Sequence, residues 1–395
     1  MRGREIGWGV FLAGLPFAHL LFRPKSGLLL QPTGLDFWHS HALWAHGWII
    51  LLTCAWISKG GLPIRSKALA ACVGWVGLCW LWAWNMSVVK LKLYPLVLSL
   101  GLLHVVSLVL FYLSATAQWT RESLQHLLRW IAMTAWVVVA YCGLQAMNLD
   151  QFTANIDNHS GDLMVGTIGN PTHLAAHLAF LLPLVLLQQR LAWRLLACVM
   201  VVMIFMTKSV AGIGSAGIAL VVWWWASHPK WAFGVVGLCF VGGVIVLLNR
   251  QFNTHGRLAA WAEFWEVFRH QPILGYGAGF VMEFSRTVKE TSPIFKWRHV
   301  HNEFFQIAIE HGVIGLSLVG WFLWETLQQA RRAMQAPEGR ALAAVLAAFL
   351  VNALVHFTAH LWVLGAFGLV AVCGLRVLAK ELSDGLPYNT QAVTR

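Results

Sequence analysis

Long apolar runs separated by short polar stretches make up most of the chain. A helix needs about 17–25 predominantly apolar residues to cross a bilayer. Runs of roughly that length fall at 6–22, 37–57, 68–86, 93–114, 125–147, 172–188, 192–207, 210–227, 231–249, 303–326, 341–360 and 361–379. The pattern predicts an all-α integral membrane fold with about twelve transmembrane helices, in a single polytopic membrane domain over residues 1–395.

The composition excludes an ordinary soluble domain. Hydrophobic residues make up 58% of the chain and charged residues 11%, whereas soluble domains carry about 25% charged residues. The seven cysteines occur singly inside apolar runs, which is typical of small core residues rather than of disulfides or metal ligands. The net charge is +12, but no contiguous basic stripe exists outside one loop, so we expect contact with membrane lipid and not with nucleic acid.

The distribution of lysine and arginine predicts the topology. With the N- and C-termini in the cytoplasm, 16 of the 28 Lys and Arg residues lie on the cytoplasmic side, in agreement with the positive-inside rule. The loop 250–302 contains seven more on the opposite face and alone departs from the rule. We therefore expect 250–302 to be an exterior loop that carries the chemistry and meets an anionic partner; the alternative is that its charge is merely solvated.

The first part of this loop predicts a short helix at the membrane surface. Asn253 or Thr254 can cap a helix over about 256–270, with Arg257 in its first turn. Its apolar stripe, expected to face lipid, consists of Leu258, Trp261, Trp265 and Phe268, with Phe264 at its edge. Arg257 together with the positive end of the helix would bind a phosphate, unless it is simply a snorkelling arginine.

The second part of the loop contains the candidate base. His299 and His301 come directly before an apolar helix that begins near Glu303 and carries Glu310 about two turns in. A histidine at the water boundary is the usual base at neutral pH, and a carboxylate within a membrane needs a partner or a proton. The glycines of PILGYGAGF follow no strand, so a tight loop is favoured over a nucleotide site.

A second exterior turn, Gly169–Asn170–Pro171, precedes the run 172–188. Asparagine followed by proline is typical of a capped helix start. The N–H groups of such a helix start would serve an anion or a sugar hydroxyl.

Together these motifs resemble the O-antigen ligase family, which also includes O-antigen polymerases and protein O-oligosaccharyltransferases. The resemblance is carried by Arg257, Trp261, Pro272, Gly275, Gly277, His301, Asn302, Glu310, Gly312 and Gly315, and by the turn at 169–171. Arginine normally follows serine where the helix after the seventh span opens. Here the stretch reads TKSVAG, with Val210 at that position and Lys208 two residues earlier.

The resemblance implies a bacterial inner-membrane enzyme that transfers a glycan from undecaprenyl diphosphate to an acceptor at the periplasmic face, without a metal or cofactor. His301 would be the base for the acceptor hydroxyl and Arg257 would hold the diphosphate. The further substrate-binding residues would be Lys208, Asn170, His299, Arg298, Asn302 and Glu310. We expect the lipid A core as acceptor, because no added periplasmic or C-terminal domain is evident, with a second glycan or a protein as the alternatives.

Two readings of other classes remain open. The histidine pairs His39 and His41, His173 and His177, and His356 and His360 allow a metal or haem transporter, although no CxxCH or HExxH motif is present. A non-catalytic flippase for the lipid carrier would share the apolar groove and the phosphate-binding cations but would not need His301.

Overall fold

The computed structural model describes residues 3–17, 37–59, 62–89, 95–147, 149, 164–225, 256–295 and 297–384. Every regular element in these ranges is helical. The α-helices are α1 (Gly3–Gly14), α2 (Phe37–Lys59), α3 (Lys67–Val89), α4 (Pro95–Gln118), α5 (Arg121–Ala146), α6 (Pro171–Leu186), α7 (Leu191–Met206), α8 (Val210–Trp225), α9 (Arg257–His270), α10 (Phe280–Thr287), α11 (Glu303–Ala333), α12 (Pro337–Ala353) and α13 (Trp362–Ser383). Short 3-10 turns follow α1 at Leu15–Phe17 and precede α6 at Gly166–Ile168.

Eleven of the twelve predicted runs coincide wholly or partly with one of these helices. The twelfth, 231–249, lies outside the described residues, as does the end of the run 6–22. Within the described residues, α5, α11 and α13 are each long and apolar enough to cross a membrane by length and composition. The fold is therefore all-helical and of a membrane type, while the number of about twelve spans stays a prediction.

The predicted run 341–360 is wrong at its C-terminal end. The helix α12 ends at Ala353, and a connection of eight residues, 354–361, leads to α13. Thr358 Oγ1 donates to Asn352 Oδ1 at 2.9 Å, and Asn352 Nδ2 donates to Ser215 Oγ of α8 at 3.2 Å. These buried hydrogen bonds satisfy the polar groups where the helix stops. Hydropathy did not reveal the break because the connection itself contains apolar side chains.

The predicted helix over 303–326 also differs from the structure, because α11 is broken inside its apolar segment. Gly312 has φ 67° and ψ −177°, which no helical residue adopts. The loop 272–277 and a tryptophan of α3 satisfy the backbone groups freed by the break. The bonds are Val313 N to Pro272 O at 2.8 Å, Tyr276 N to Ile309 O at 3.0 Å, Gly277 N to Glu310 O at 2.6 Å and Trp75 Nε1 to His311 O at 2.9 Å. Irregular backbone at this depth is tolerated only with such internal partners.

The ends of several helices meet around the connection 354–361. The first turns of α6, α11 and α13 and the last turn of α12 lie together there, as the ring contacts between His173, His356 and His301 show. The helices approach closely because small residues face each other. A side chain at Gly212 of α8, for example, would clash with Ala175 of α6.

Candidate functional site

The helix α9 confirms the predicted short helix, but its cap and its buried face differ from the prediction. Gly256, with φ 75°, is the N-cap residue in place of Asn253 or Thr254, which lie outside the described residues. Leu258 and Trp265 are exposed, at 63% and 50%. The other side of the helix packs into a small apolar core formed by Ala260, Phe264, Phe280, Val281, Ile294, Val300 and Ile309, with Trp261 and Phe268 packed against it. Only part of the predicted lipid-facing stripe is therefore exposed. Phe264 is buried, because α10 and the start of α11 cover it.

Trp261 ties α9 to the candidate base. Its Nε1 donates to the carbonyl oxygen of Val300 at 2.7 Å, directly before His301. His301 has φ 57°, a left-handed conformation that is uncommon for residues other than glycine and recurs at functional sites. Asn302 then caps α11, because its side chain accepts a hydrogen bond from Phe305 N at 3.0 Å. In this geometry Asn302 fixes the direction of the chain that presents His301.

The connection 354–361 is contacted by Arg257, His299 and His301. Arg257 Nη1 donates to Val355 O at 3.1 Å. The His301 ring lies 4.8 Å from the ring of Phe357 and 5.7 Å from that of His356, measured between centroids. The His299 ring stacks on Phe357 at 4.4 Å. One segment thus holds the predicted base and the predicted cation on the same part of the molecule.

A half-buried ion pair anchors this connection to α11. Glu303 Oε2 lies 2.9 Å from His360 Nδ1, and Glu303 Oε1 accepts hydrogen bonds from the backbone N–H groups of Ala359 and His360. Burial acts to lower the pKa of His360, but the carboxylates of Glu303 and Glu310 outweigh it and raise the pKa to about 9. The Nδ1 side of the His360 ring thus faces a carboxylate, which favours the protonated imidazole.

The ionisable side chains around His301 include two neutral histidines and one arginine. Burial, followed by the neighbouring charges of His360 and His301, holds the pKa of His299 well below its usual range. Burial and the charge of His173 do the same to the pKa of His356. Burial lowers the pKa of Arg257, but a guanidinium starts so high that it stays charged. At neutral pH the site thus contains neutral His299 and His356 beside cationic Arg257.

Gln306 and Glu310 line the next turns of α11 and connect the histidines with the broken part of the helix. Gln306 Oε1 accepts from Val300 N at 3.2 Å, and its amide nitrogen lies 3.2 Å from His360 Nε2 and 3.4 Å from Glu310 Oε1. Glu310 also accepts from Val281 N at 3.3 Å. Glu310 therefore braces the start of α10 as well as facing the cavity described next.

A cavity of about 620 Å³ runs from these polar groups along the apolar sides of α3, α4 and α11. Its polar end is lined by Arg298, His299, Glu303, Gln306, Glu310 and His360, and its apolar end by Leu69, Val73, Val76, Leu108, Val109 and Val319. The cavity has room for a long apolar group that leads to a polar head.

Comparison with known proteins gives a family for the middle of the chain. Residues 174–320 match the family model described as O-antigen ligase. The match confirms the resemblance drawn from the motifs and includes α9, His301, Glu310 and the break at Gly312. The family indicates a membrane glycosyltransferase of the O-antigen ligase or polymerase type. No curated protein matches the chain.

Asn170 lies just before the O-antigen ligase match, and its predicted capping role is confirmed. Its side-chain oxygen accepts from Thr172 N at 2.9 Å and from His173 N at 3.3 Å at the start of α6. The ring of His173 lies 4.7 Å from that of His356, so this turn borders the site. In this structure two of the helix N–H groups already bond to the cap itself.

Lys208 lies in the stretch where the O-antigen ligase resemblance departs from its pattern. It is exposed between α7 and α8 and has φ 56°, and Val210 is the first residue of α8. Because Gly212 packs against Ala175 near the start of α6, Lys208 lies at the same end of the bundle as Asn170. That position agrees with an approach to the site from its rim.

The histidine pairs considered for metal lie partly within this site. Among the described residues, no group of three or more His, Cys, Asp or Glu side chains is arranged to hold a metal ion. His356 and His360 face different partners, His173 and Glu303 respectively. The side chains of His39 and His41 lie outside the described residues.

Several residues of the site were missed by sequence reasoning. His360, His356 and Phe357 had been assigned to a predicted span and a possible metal pair, and Gln306 had no assigned role. The signal that could have found them is the polar cluster HFTAH between two apolar runs. A connection of that composition cannot continue a lipid-facing helix, and intramembrane polar residues are functional candidates by default.

Proposed function

We propose that this protein transfers a glycan from undecaprenyl diphosphate to a hydroxyl of the lipid A core at the periplasmic face of the inner membrane. The observation that carries the proposal is the convergence of Arg257 and His301 on the segment Val355–Phe357. It gives the site a base and a cation within one neighbourhood, and both residues belong to the region that matches the family model.

In the proposed reaction His301 removes the proton of the acceptor hydroxyl as that oxygen attacks the anomeric carbon of the donor. The bond between the anomeric carbon and the diphosphate oxygen breaks, and the electron pair leaves with the diphosphate. A positioned base contributes about 10²–10⁴-fold to such a step. The diphosphate is a good leaving group, so it needs neutralisation by cations rather than an acid.

Arg257 is the group proposed to neutralise the diphosphate. Among the described residues its guanidinium donates to one acceptor, Val355 O, and a guanidinium has five N–H donors. Arg298 and His299 line the polar end of the large cavity, where they would contact the donor head. Lys208 and Asn170 would act from the rim, and Asn302 and Glu310 would keep the loop and α11 in place for the donor.

The proposal is tested with purified protein, a donor glycan on undecaprenyl diphosphate and three separate acceptors: lipid A core, a second copy of the glycan, and a pilin-like protein. We expect the lipid A core to be modified. His301→Ala should lower the turnover number by about 10²-fold or more and leave donor binding intact. Arg257→Ala should weaken donor binding.

Two variants on the same loop serve as matched controls. His270→Ala and Arg269→Ala remove an exposed histidine and an exposed arginine from the last turn of α9, and both should retain transfer. Transfer by His301→Ala at nearly the wild-type rate would disprove the catalytic role and favour a flippase. If the glycan or the protein were modified instead of the lipid A core, the proposed acceptor would be wrong, while the proposed transfer reaction would still hold.

A further inference from the structure

A second cavity lies at the end of the bundle remote from His301. Its volume is about 360 Å³, and it lies between the residues before α3, the last turns of α11 and the last turns of α13. Its charged lining residues are Arg65, Lys67, Glu325, Arg332, Arg376 and Lys380. The cavity thus carries five cations and, among the described residues, one carboxylate.

The single carboxylate is already fully used by the protein. Glu325 Oε2 accepts from Ser66 Oγ at 2.6 Å and from Arg376 Nη2 at 3.3 Å, and Glu325 Oε1 accepts from Ala68 N at 3.3 Å. Glu325 therefore neutralises the buried Arg376 and stabilises the first turn of α3. Its negative charge is thus offset by the positive charge of Arg376.

Arg376 forms a fixed floor for the cavity. Its guanidinium lies 4.8 Å from the centroid of the Phe322 ring and 5.6 Å from that of Tyr112, and it also donates to Thr326 Oγ1 at 3.2 Å. Such cation–π and hydrogen-bond contacts hold the side chain in one position.

The other four cations are exposed around this floor. Arg65, Lys67, Arg332 and Lys380 form no ion pair within the described part of the chain. Four exposed cations around a concave surface, whose one lining carboxylate pairs with Arg376, favour an anion from outside. The adjacent Arg331 differs, because it lies outside the cavity and stacks over Trp324 at 5.9 Å.

We propose that this cavity binds the phosphate group of an anionic phospholipid headgroup. Arginine and lysine together recognise phosphate oxygens through charge-assisted hydrogen bonds. The cavity lies at the helix ends, where headgroups are found. Under the proposed topology this end faces the cytoplasmic leaflet, whose anionic lipids attract basic segments next to the membrane. The inference concerns lipid binding and is independent of glycan transfer.

The test measures lipid retention by full-length protein in neutral detergent, using native mass spectrometry with phosphatidylglycerol, phosphatidylcholine of the same chain length, and glycerol 3-phosphate. The double variant Arg332→Gln/Lys380→Gln removes two cations from the cavity. The matched double variant Arg331→Gln/Arg194→Gln removes two exposed cations outside it. We expect phosphatidylglycerol to bind in preference to phosphatidylcholine, and the cavity variant to bind it about tenfold or more weakly.

The outcomes distinguish a specific phosphate site in the cavity from nonspecific attraction of lipid to surface charge. Binding by the matched double variant within about twofold of the wild type would support the proposal. Equal loss in both double variants would overturn it, because surface charge alone would then explain the affinity. A third outcome concerns the source of the phosphate. If glycerol 3-phosphate bound as tightly as phosphatidylglycerol, and only the cavity variant lost this binding, the ligand would be a free phosphate ester and the proposal of a lipid headgroup would be wrong. A thermal unfolding curve for each variant checks that folding is retained.

Discussion

At the scale of single residues, the ion pair between Glu303 and His360 holds the most consequential connection in the molecule. The connection 354–361 carries Val355, His356 and Phe357, which contact Arg257, His299 and His301. Glu303 reaches this connection through its side chain alone, by one ion pair and two backbone hydrogen bonds. A change at either partner would therefore alter the position of the base and the cation together.

The pH dependence of stability tests this pair. The pKa of His360 is about 9 in the folded protein, against an ordinary value of 6.5. A raised pKa stabilises the fold fully below pH 6.5 and progressively less as the pH rises through 9. The greatest contribution is about 3 kcal/mol, at 1.36 kcal/mol per pKa unit. We expect His360→Asn to lower the Tm most near pH 6 and least above pH 9.

The measurement is thermal unfolding in detergent at a series of pH values for wild type and variant. His270→Asn removes an exposed histidine from the end of α9 and controls for the loss of an imidazole; its Tm difference should stay small throughout. A Tm difference for His360→Asn that grows with rising pH would contradict the assignment of a charged His360.

At the scale of elements, the break in α11 depends on Gly312. Its φ of 67° is strained for any side chain, and an added Cβ would overlap the carbonyl oxygen of Ile273. We expect Gly312→Ala to destabilise the protein by about 2 kcal/mol or more and to reduce transfer, because the loop 272–277 would separate from Glu310. Thermal unfolding and transfer assays measure both effects.

Gly320 provides the control within the same helix. It lies eight residues further on, and a Cβ there meets no atom within 4 Å. Gly320→Ala should therefore be neutral or slightly stabilising, by up to about 1 kcal/mol. If the two alanine variants had equal stability, the break at Gly312 would not be a requirement of the fold.

The elements also show what the sequence could predict. Apolar runs predicted most helices, because burial in lipid and burial in a membrane bundle select the same residues. They could not predict the break at Gly312 or the end of α12 at Ala353. Both depend on hydrogen bonds to residues far away in the chain, such as Pro272 and Ser215. His301 and Arg257 were recognisable from a motif, whereas the HFTAH cluster marks His360 only as a candidate, and its partner Glu303 becomes apparent from the fold.

At the scale of the whole molecule, the large cavity joins an apolar groove between three helices to the polar groups of the candidate site. Its apolar end is formed by α3, α4 and α11, and its polar end by the histidines before α11 and α13 and the carboxylates of α11. Lipid tails are as apolar as such a groove, so hydrophobic transfer gives a tail little reason to leave the bilayer. The cavity would therefore act through its shape, by guiding the head of a lipid-linked donor from the bilayer to Arg298 and His299.

This role predicts a different response from two positions on α4. Val109 lines the cavity, whereas Val106 is exposed on another side of the helix. Val109→Trp should block the path of the lipid and raise the KM for an undecaprenyl-linked donor by about tenfold, or ~1.4 kcal/mol, with a smaller effect on a donor of two isoprene units. Val106→Trp adds the same bulk outside the cavity and should leave both values near the wild type. Steady-state transfer assays with the two donors measure these KM values. An equal rise in KM for both donors would show that the tryptophan disturbs the head site. It would contradict a position of the tail in the cavity.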